Sequence, residues 1–174
     1  MRHFLLLAVV GVALVGCQRE PCGGCAEYES CAVAANQCVL NDGARFDLEA
    51  VDGEVPGDNW DPLFGPPDPY ICVSGQDQPE QCTKVESDTH SPAWQQVVLT
   101  DLDGAMLLTE PLNYRYEDSD LDSDDLICAG PITLENAWVN KGGFAFKCSN
   151  GSYANFALHN TVVGTPAEIG RAHV

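Results

Sequence analysis

Positive charge is what this sequence has least of: 8 Lys+Arg stand against 26 Asp+Glu, for a formal net charge of −18 over 174 residues. A chain so poor in cations cannot neutralise a run of phosphates, which excludes nucleic acid as a partner. It is equally ill suited to unassisted attraction by anionic lipid. Long apolar runs are missing too: the run from Phe4 to Val15 is about a dozen residues, short of the roughly 20 needed to span a bilayer as a permanent helix. A Gly-rich phosphate loop, a Ser or Cys nucleophile in a recognisable motif and a His-rich metal spacing are all missing, and His90 and His159 have no such partner in sequence. Acid-base work by a crowded carboxylate run would need a shielding apolar pocket to raise one pKa. The expectation is therefore a non-catalytic chain, with no catalytic residues to assign. No internal repeat and no helical window of convincing length is present.

What is present begins with a short basic end, Met1-Arg2-His3, and an apolar run from Phe4 to Val15, the pattern of an export signal. Leu14-Val15-Gly16-Cys17 resembles the bacterial lipobox, in which cleavage leaves the Cys as a lipidated N-terminus. Several acyl chains on one Cys make a stable anchor where a single chain would not. Gln18 beside it, rather than Asp, implies by analogy an exported, lipid-anchored protein at the outer membrane of a Gram-negative cell. The alternative is a leader cleaved elsewhere, with Cys17 discarded.

The cysteine count is consistent with lipidation: there are 9, and removing Cys17 leaves an even number for disulfides in an oxidising compartment. Cys22, Cys25, Cys31 and Cys38 share a Gly- and Ala-containing stretch with no apolar core of its own, so they are expected to pair among themselves as a compact stalk. Cys22-Gly-Gly-Cys25 also has zinc-ligand spacing, but an oxidising compartment favours disulfides. Cys72 and Cys82 fall on expected neighbouring antiparallel strands around a turn at Ser74 to Pro79, leaving Cys128 and Cys148 for one another.

Strand and turn signals recur at short intervals from Phe46 onward and point to an all-β antiparallel sandwich. Expected strands are Phe46 to Val51, Tyr70 to Val73, Cys82 to Glu86, Gln95 to Thr100, Ala105 to Leu108, Leu112 to Tyr116 and Leu126 to Leu134. A final hairpin over Phe144 to Leu158 turns at Asn150-Gly151, a pair that accepts the positive φ angles of a type I′ turn.

The densest feature is Glu117 to Asp125, Glu-Asp-Ser-Asp-Leu-Asp-Ser-Asp-Asp, with six carboxylates in nine residues. Such a run repels itself, and a hard cation such as Ca²⁺, which takes six to eight oxygens at about 2.3 to 2.6 Å, would turn that repulsion into coordination. A second acidic segment, Asp61 to Asp68, is the candidate to complete the shell. An EF-hand loop starting Asp118-Ser-Asp120-Leu-Asp122 fails, because Ser123 stands where Gly is needed and Ala129 where Glu is needed. A solvated, metal-free acidic loop is the other reading.

The two segments carry a family resemblance. Pro67-Asp68-Pro69-Tyr70-Ile71-Cys72-Val73 resembles the Ser-Asp-Pro-Tyr-Val-x-Val signature of the C2 domain, the Ca²⁺- and phospholipid-binding β-sandwich. Cys82 to Val85 with Thr89 to Gln95, and Tyr116 to Ile127, resemble its later motifs in the same order, so the likeness covers Arg45 to Leu158. It implies an eight-stranded antiparallel sandwich with ligands from two loops at one end. Carried over by motif, the metal ligands are Asp68, Asp61 with Asp58 as the fallback, Asp118, Asp120 and Asp125. Alignment without a gap would instead use Glu117 and Ser119, while Asp122 and Asp124 are spare charges for a second ion. Cys128 stands where the family usually has Gly. Leu63, Phe64 and Leu121 sit where the family places apolar tips that enter a bilayer, although Phe64 could equally pack beneath its loop. Basic residues for gripping phosphate reduce to Arg45, Lys84, Arg115, Lys141 and Lys147.

The expected organisation is a signal peptide at 1–16, a lipidated Cys and Cys-rich stalk at 17–42, a C2-like domain at 43–160 and a tail at 161–174. Glu168 to Val174 reads as a translated sequencing adapter, so the natural chain is expected to continue differently. Two functions compete: Ca²⁺-dependent docking on a phospholipid membrane, and a Ca²⁺-rigidified or metal-free structural or adhesive module for a protein or glycan partner.

Overall fold

The computed structural model describes residues 21–57, 60, 65–120 and 124–166. The expectations placed on Cys17, Asp58, Asp61, Leu63, Phe64, Leu121 and Asp122 therefore lie outside the described residues, as do the leader and the Glu168 to Val174 tail.

In chain order the elements are β1 (Glu29–Ala32), β2 (Gln37–Leu40), β3 (Arg45–Glu54), β4 (Pro69–Gly75), β5 (Gln78–Cys82), β6 (Gln96–Asp103), α1 (Gly104–Leu107), β7 (Leu112–Asp118), β8 (Asp125–Ile132), α2 (Asn136–Asn140), β9 (Gly143–Lys147) and β10 (Tyr153–Val162). Two four-stranded antiparallel sheets, β6-β3-β10-β9 and β5-β4-β7-β8, make the sandwich, and β1-β2 is a separate hairpin. The expected eight-stranded sandwich is therefore the fold observed.

The sandwich follows from the alternation of its strands. In β3, Phe46, Leu48 and Ala50 are buried while Arg45, Asp47 and Glu49 face outward. β10 repeats this with Ala154, Phe156 and Leu158 inside. Two residues per repeat put one face on the core and the other in water. Leu112 and Tyr116 from β7 and Ile71 and Val73 from β4 meet those side chains from the opposite sheet. Aromatic rings bind the layers together: Tyr114 of β7 stacks on Phe146 of β9 at 3.9 Å, and Tyr116 of β7 stands edge-on to the same ring at 6.4 Å.

Both open sides of the sandwich are closed. On one side Gln76, Gln78 and Gln96 span the gap between β5 and β6: Gln76 Nε2 donates to Asp103 O (3.0 Å) and its Oε1 accepts from Asp103 N (2.7 Å), while Gln96 treats Lys84 N and Cys82 O the same way. Edge groups satisfied by side chains are not available to another strand. On the other side the disulfide Cys128–Cys148 joins β8 to the end of β9. Cys72 and Cys82 face one another in register and are bonded, and the remaining four pair as Cys22–Cys31 and Cys25–Cys38.

Four local expectations need correction. Cys82 to Glu86 is not the strand: β5 ends at Cys82, although Thr83 N still donates to Ile71 O and Glu86 N to Pro69 O along the same edge. The turn before it is tighter than Ser74 to Pro79, with Gln76 and Asp77 both at positive φ (50° and 59°) between the paired Gly75 and Gln78. Ala105 to Leu108 is helix rather than strand, because the Asp103 carboxylate caps Ala105 N and Met106 N at 2.9 and 3.1 Å. Asn150-Gly151 is not a two-residue type I′ turn. Only Gly151 has positive φ (96°), Gly151 N donates to Cys148 O and the Asn150 side chain holds Ser152 N, which is a turn closed by a left-handed glycine.

The Cys-rich hairpin is docked on the sandwich. Tyr28 lies edge-on to Phe46 at 5.2 Å and donates its hydroxyl to Val139 O, Leu40 packs against Gly104, and Asn41 Nδ2 donates to Glu27 O and Val163 O. A Cβ at Gly104 would lie 3.0 Å from Phe46 and 3.2 Å from Leu40, so a side chain there would have to push the Phe46 ring and the Leu40 methyl back by a few tenths of an ångström.

Candidate metal-binding rim

Asp68 precedes β4 directly, Asp118 ends β7 and Asp125 begins β8. Strand register brings them to one end of one sheet: Pro69 is opposite Asp118, and Asp118 is opposite Asp125. Residues so paired have Cβ atoms about 4.5 to 5.5 Å apart. Of the residues between Asp118 and Asp125, the described Asp120 and Asp124 flank the same rim.

The local bonds at this rim are made to its own backbone. Asp68 N donates to Asp118 Oδ1 at 2.5 Å, Asp88 N to Asp68 Oδ1 at 2.6 Å, and Ser119 N to Asp68 O at 3.0 Å. Asp118 is fully buried, whereas Asp125 is exposed. Asp120 N donates to Asp124 Oδ1 at 3.3 Å.

A chain of polar contacts connects this loop to the outer face of the sheet. The Tyr70 hydroxyl reaches Asp124 Oδ2 at 2.6 Å and Glu117 Oε2 at 2.8 Å. Burial first, and then the hydrogen bonds to Asp124 and Glu117, push the Tyr70 hydroxyl above its ordinary pKa, so it remains protonated. Glu117 Oε1 accepts from Arg115 at 2.6 Å, and Arg115 also holds both oxygens of Glu80, at 3.1 and 2.8 Å. The sequence reading missed this line of residues. Tyr70 lay in the Asp-Pro-Tyr motif, but nothing in the sequence pairs Arg115 with Glu80, 35 residues away.

Arg115 is thus committed to carboxylates rather than to phosphate. Lys84 pairs with Glu86 at 2.8 Å, and Arg45 lies 3.6 Å from Asp103. Apart from the buried Glu117 carboxylate, the groups in these pairs are at least partly exposed and the pairs individually weak, but they offset the positive charge of three of the residues read as phosphate contacts.

The donor set fits a hard, oxygen-seeking cation in kind. Each carboxylate has about four lone-pair positions, so one backbone N–H does not exhaust it. In spacing the fit is incomplete. Among the described residues, the groups of three metal-type side chains whose ligand atoms lie within 4.8 Å of one another are Cys25-Glu29-Cys38 and Cys72-Glu80-Cys82, and neither includes a rim aspartate. Both centre on disulfide sulfurs, which have no thiolate to offer a metal. Asp68, Asp118, Asp120 and Asp125 therefore share a rim without three of them already converging on one point.

No protein-family model matches the sequence, and no curated protein sequence matches it. Solved structures do match in fold. The chain is similar to a structure of CC2D1B at 16% identity and TM-score 0.51, covering 71% of this chain and 56% of that one. It is similar to the paired C2 domains of extended synaptotagmin 2 in a calcium-bound form, at 17% identity and TM-score 0.50, covering 68% of this chain and 46% of that one. A complex of human GIVD cytosolic phospholipase A2 with an inhibitor and terbium chloride matches at 16% identity and TM-score 0.50, over 70% of this chain and 18% of the enzyme. This chain thus spans less than two thirds of each of these matched chains, and at such identities the likeness concerns fold. With its two four-stranded antiparallel sheets, the chain has a C2-like β-sandwich fold.

Proposed function

We propose that this is an exported, lipid-anchored, non-catalytic protein whose C2-like domain takes up Ca²⁺ at the acidic rim and docks on phospholipid headgroups. The observation that carries the reading is the meeting of Asp68 with Asp118 and Asp125 at one end of a sandwich, on sequence segments 50 residues apart. Asp68, Asp118 and Asp125 would hold the ion, with Asp120 from the loop and Asp61 from the segment before β4. The ion would supply the positive charge that the chain lacks, bridging carboxylates to phosphate. Extracellular Ca²⁺ modules of this openness bind with dissociation constants of about 10⁻⁴ to 10⁻³ M. The match to a phospholipase covers too little of that enzyme to bring catalysis with it.

A second reading is favoured by the hydrogen bonds just described: the rim holds its own shape through Asp68, Asp118 and Asp88, with no three carboxylates converging among the described residues. In that case the domain is a structural or adhesive module, metal-free or merely stiffened by Ca²⁺, for a protein or glycan partner. Liposome sedimentation with and without Ca²⁺ separates the two. Ca²⁺-dependent sedimentation that is lost on Phe64→Asp supports docking, and thermal stabilisation by Ca²⁺ without sedimentation supports the second reading.

A further inference from the structure

The acidic run places carboxylates on both faces of its sheet. Glu117 and Asp118 are consecutive on β7, so their side chains leave toward opposite faces. Asp118 falls on the side of Leu112 and Tyr116, which are in the core, and accepts the Asp68 amide. Glu117 falls on the outer side with Arg115, whose guanidinium reaches its Oε1 at 2.6 Å. Asp124 belongs with this outer group. Its Oδ2 lies 2.6 Å from the Tyr70 hydroxyl, which also touches Glu117 Oε2 at 2.8 Å. Its other oxygen accepts from Asp120 N at 3.3 Å. Tyr70 and Glu117 are directly opposite in register, and Arg115 is anchored in turn on both oxygens of Glu80 in β5. The hydroxyl is thus fixed by three strands of the sheet, and Asp124 is the group that it draws in from the loop.

We infer that Tyr70 is a positioning residue whose hydroxyl keeps Asp124 on the outer face beside Glu117, so that Asp124 does not join the ion taken up at Asp68, Asp118 and Asp125. The inference rests on the Ca²⁺ reading above and divides the acidic run by role. A hydroxyl carries one proton and donates to one oxygen at a time, so two carboxylates drawn to it repel each other unless a cation stands close. Arg115, bonded to Glu117 on the side away from Tyr70, supplies that charge. Hydrogen bonds to an ionised acceptor are shorter and stronger than those between neutral groups, and the Tyr70 contacts have that length. Two neighbouring aspartates therefore serve different ends. Asp125 stands opposite Asp118 in the strand pair and faces the ion, while Asp124 ties the loop to the sheet.

Asp124→Asn and Asp125→Asn remove the same charge from adjacent positions, so a difference between them reports ligation rather than the general field. In calorimetric titration with Ca²⁺, Asp125→Asn should raise the dissociation constant about tenfold more than Asp124→Asn does, the scale on which groups around a metal act. Repeated in a Tyr70→Phe background, the comparison should lose this gap, because the released Asp124 can turn toward the ion. In the metal-free protein, amide exchange at Asp120, whose N–H rests on Asp124 Oδ1, should be about fivefold faster in Tyr70→Phe, the change expected from losing one hydrogen bond. Equal losses from the two asparagine variants overturn the role given to Asp124. A gap that Tyr70→Phe leaves intact, or unchanged exchange at Asp120, overturns the role given to the hydroxyl. Exchange needs no ion, so faster exchange in Tyr70→Phe without any Ca²⁺ heat from the native protein supports the tie while overturning the Ca²⁺ reading beneath it.

Discussion

Asp118 and Asp125 face one another across a strand pair but differ in what surrounds them, and this makes them separable by mutation. Asp118 is buried and accepts the Asp68 amide. Truncating it leaves a buried donor without its acceptor, so Asp118→Ala should lower stability by about 1 to 3 kcal/mol even without metal, measured by urea unfolding. Asp125 is exposed, and Asp125→Asn should change metal-free stability by less than about 0.5 kcal/mol while reducing the stabilisation produced by added Ca²⁺. Glu80 offers a pH test. The Arg115 guanidinium, through its hydrogen bonds first, holds the Glu80 carboxyl below its ordinary value of 4.5. A carboxyl depressed by folding contributes stability that is present above its ordinary pKa and lost as pH falls through the folded value. Both side chains are over two-fifths exposed, so solvent screening keeps the effect small. Glu80→Gln should destabilise slightly at neutral pH, with the difference from the native chain vanishing in unfolding titrations taken well below pH 4.5.

The individual elements show what could be read from sequence and where that reading stopped. Strands β3, β4, β7 and β10 were legible because a period of two with one buried face is written directly in Phe46-Asp-Leu48-Glu-Ala50 and its counterparts. The pairing of Asp68 with the acidic loop was legible through motif order. Short apolar stretches were not, because Ala105 to Leu108 is too brief for its period to distinguish helix from strand and the Asp103 cap decides the outcome. Asp103→Ala should therefore cost about 1 kcal/mol in thermal or urea unfolding. The pairing of Arg115 with Glu80, and the docking of Tyr28 and Asn41, join residues far apart in sequence with no periodic trace, so only the folded chain reveals them. Pairing within the Cys-rich segment was also open until the β1-β2 register placed Cys31 opposite Cys38 and directed each toward a different upstream cysteine.

Taken whole, the molecule is a small sandwich whose open sides are secured by different means, glutamine amides between β5 and β6 and a covalent bond between β8 and β9. The Cys128–Cys148 bridge closes a loop with a sequence separation of 20. Replacing both cysteines by serine should lower stability by about 3 kcal/mol in urea unfolding, mostly through the freed unfolded chain. A chain of net charge −18 that gathers aspartates at one end is expected to rely on a cation for any approach to phosphate. Calorimetric titration of Ca²⁺ into a chain lacking residues 1–16 measures this directly. The account predicts saturable binding with a dissociation constant of about 10⁻⁴ to 10⁻³ M, abolished in an Asp68→Asn, Asp125→Asn double variant. No binding heat at millimolar Ca²⁺, or binding that persists in the double variant, would contradict it.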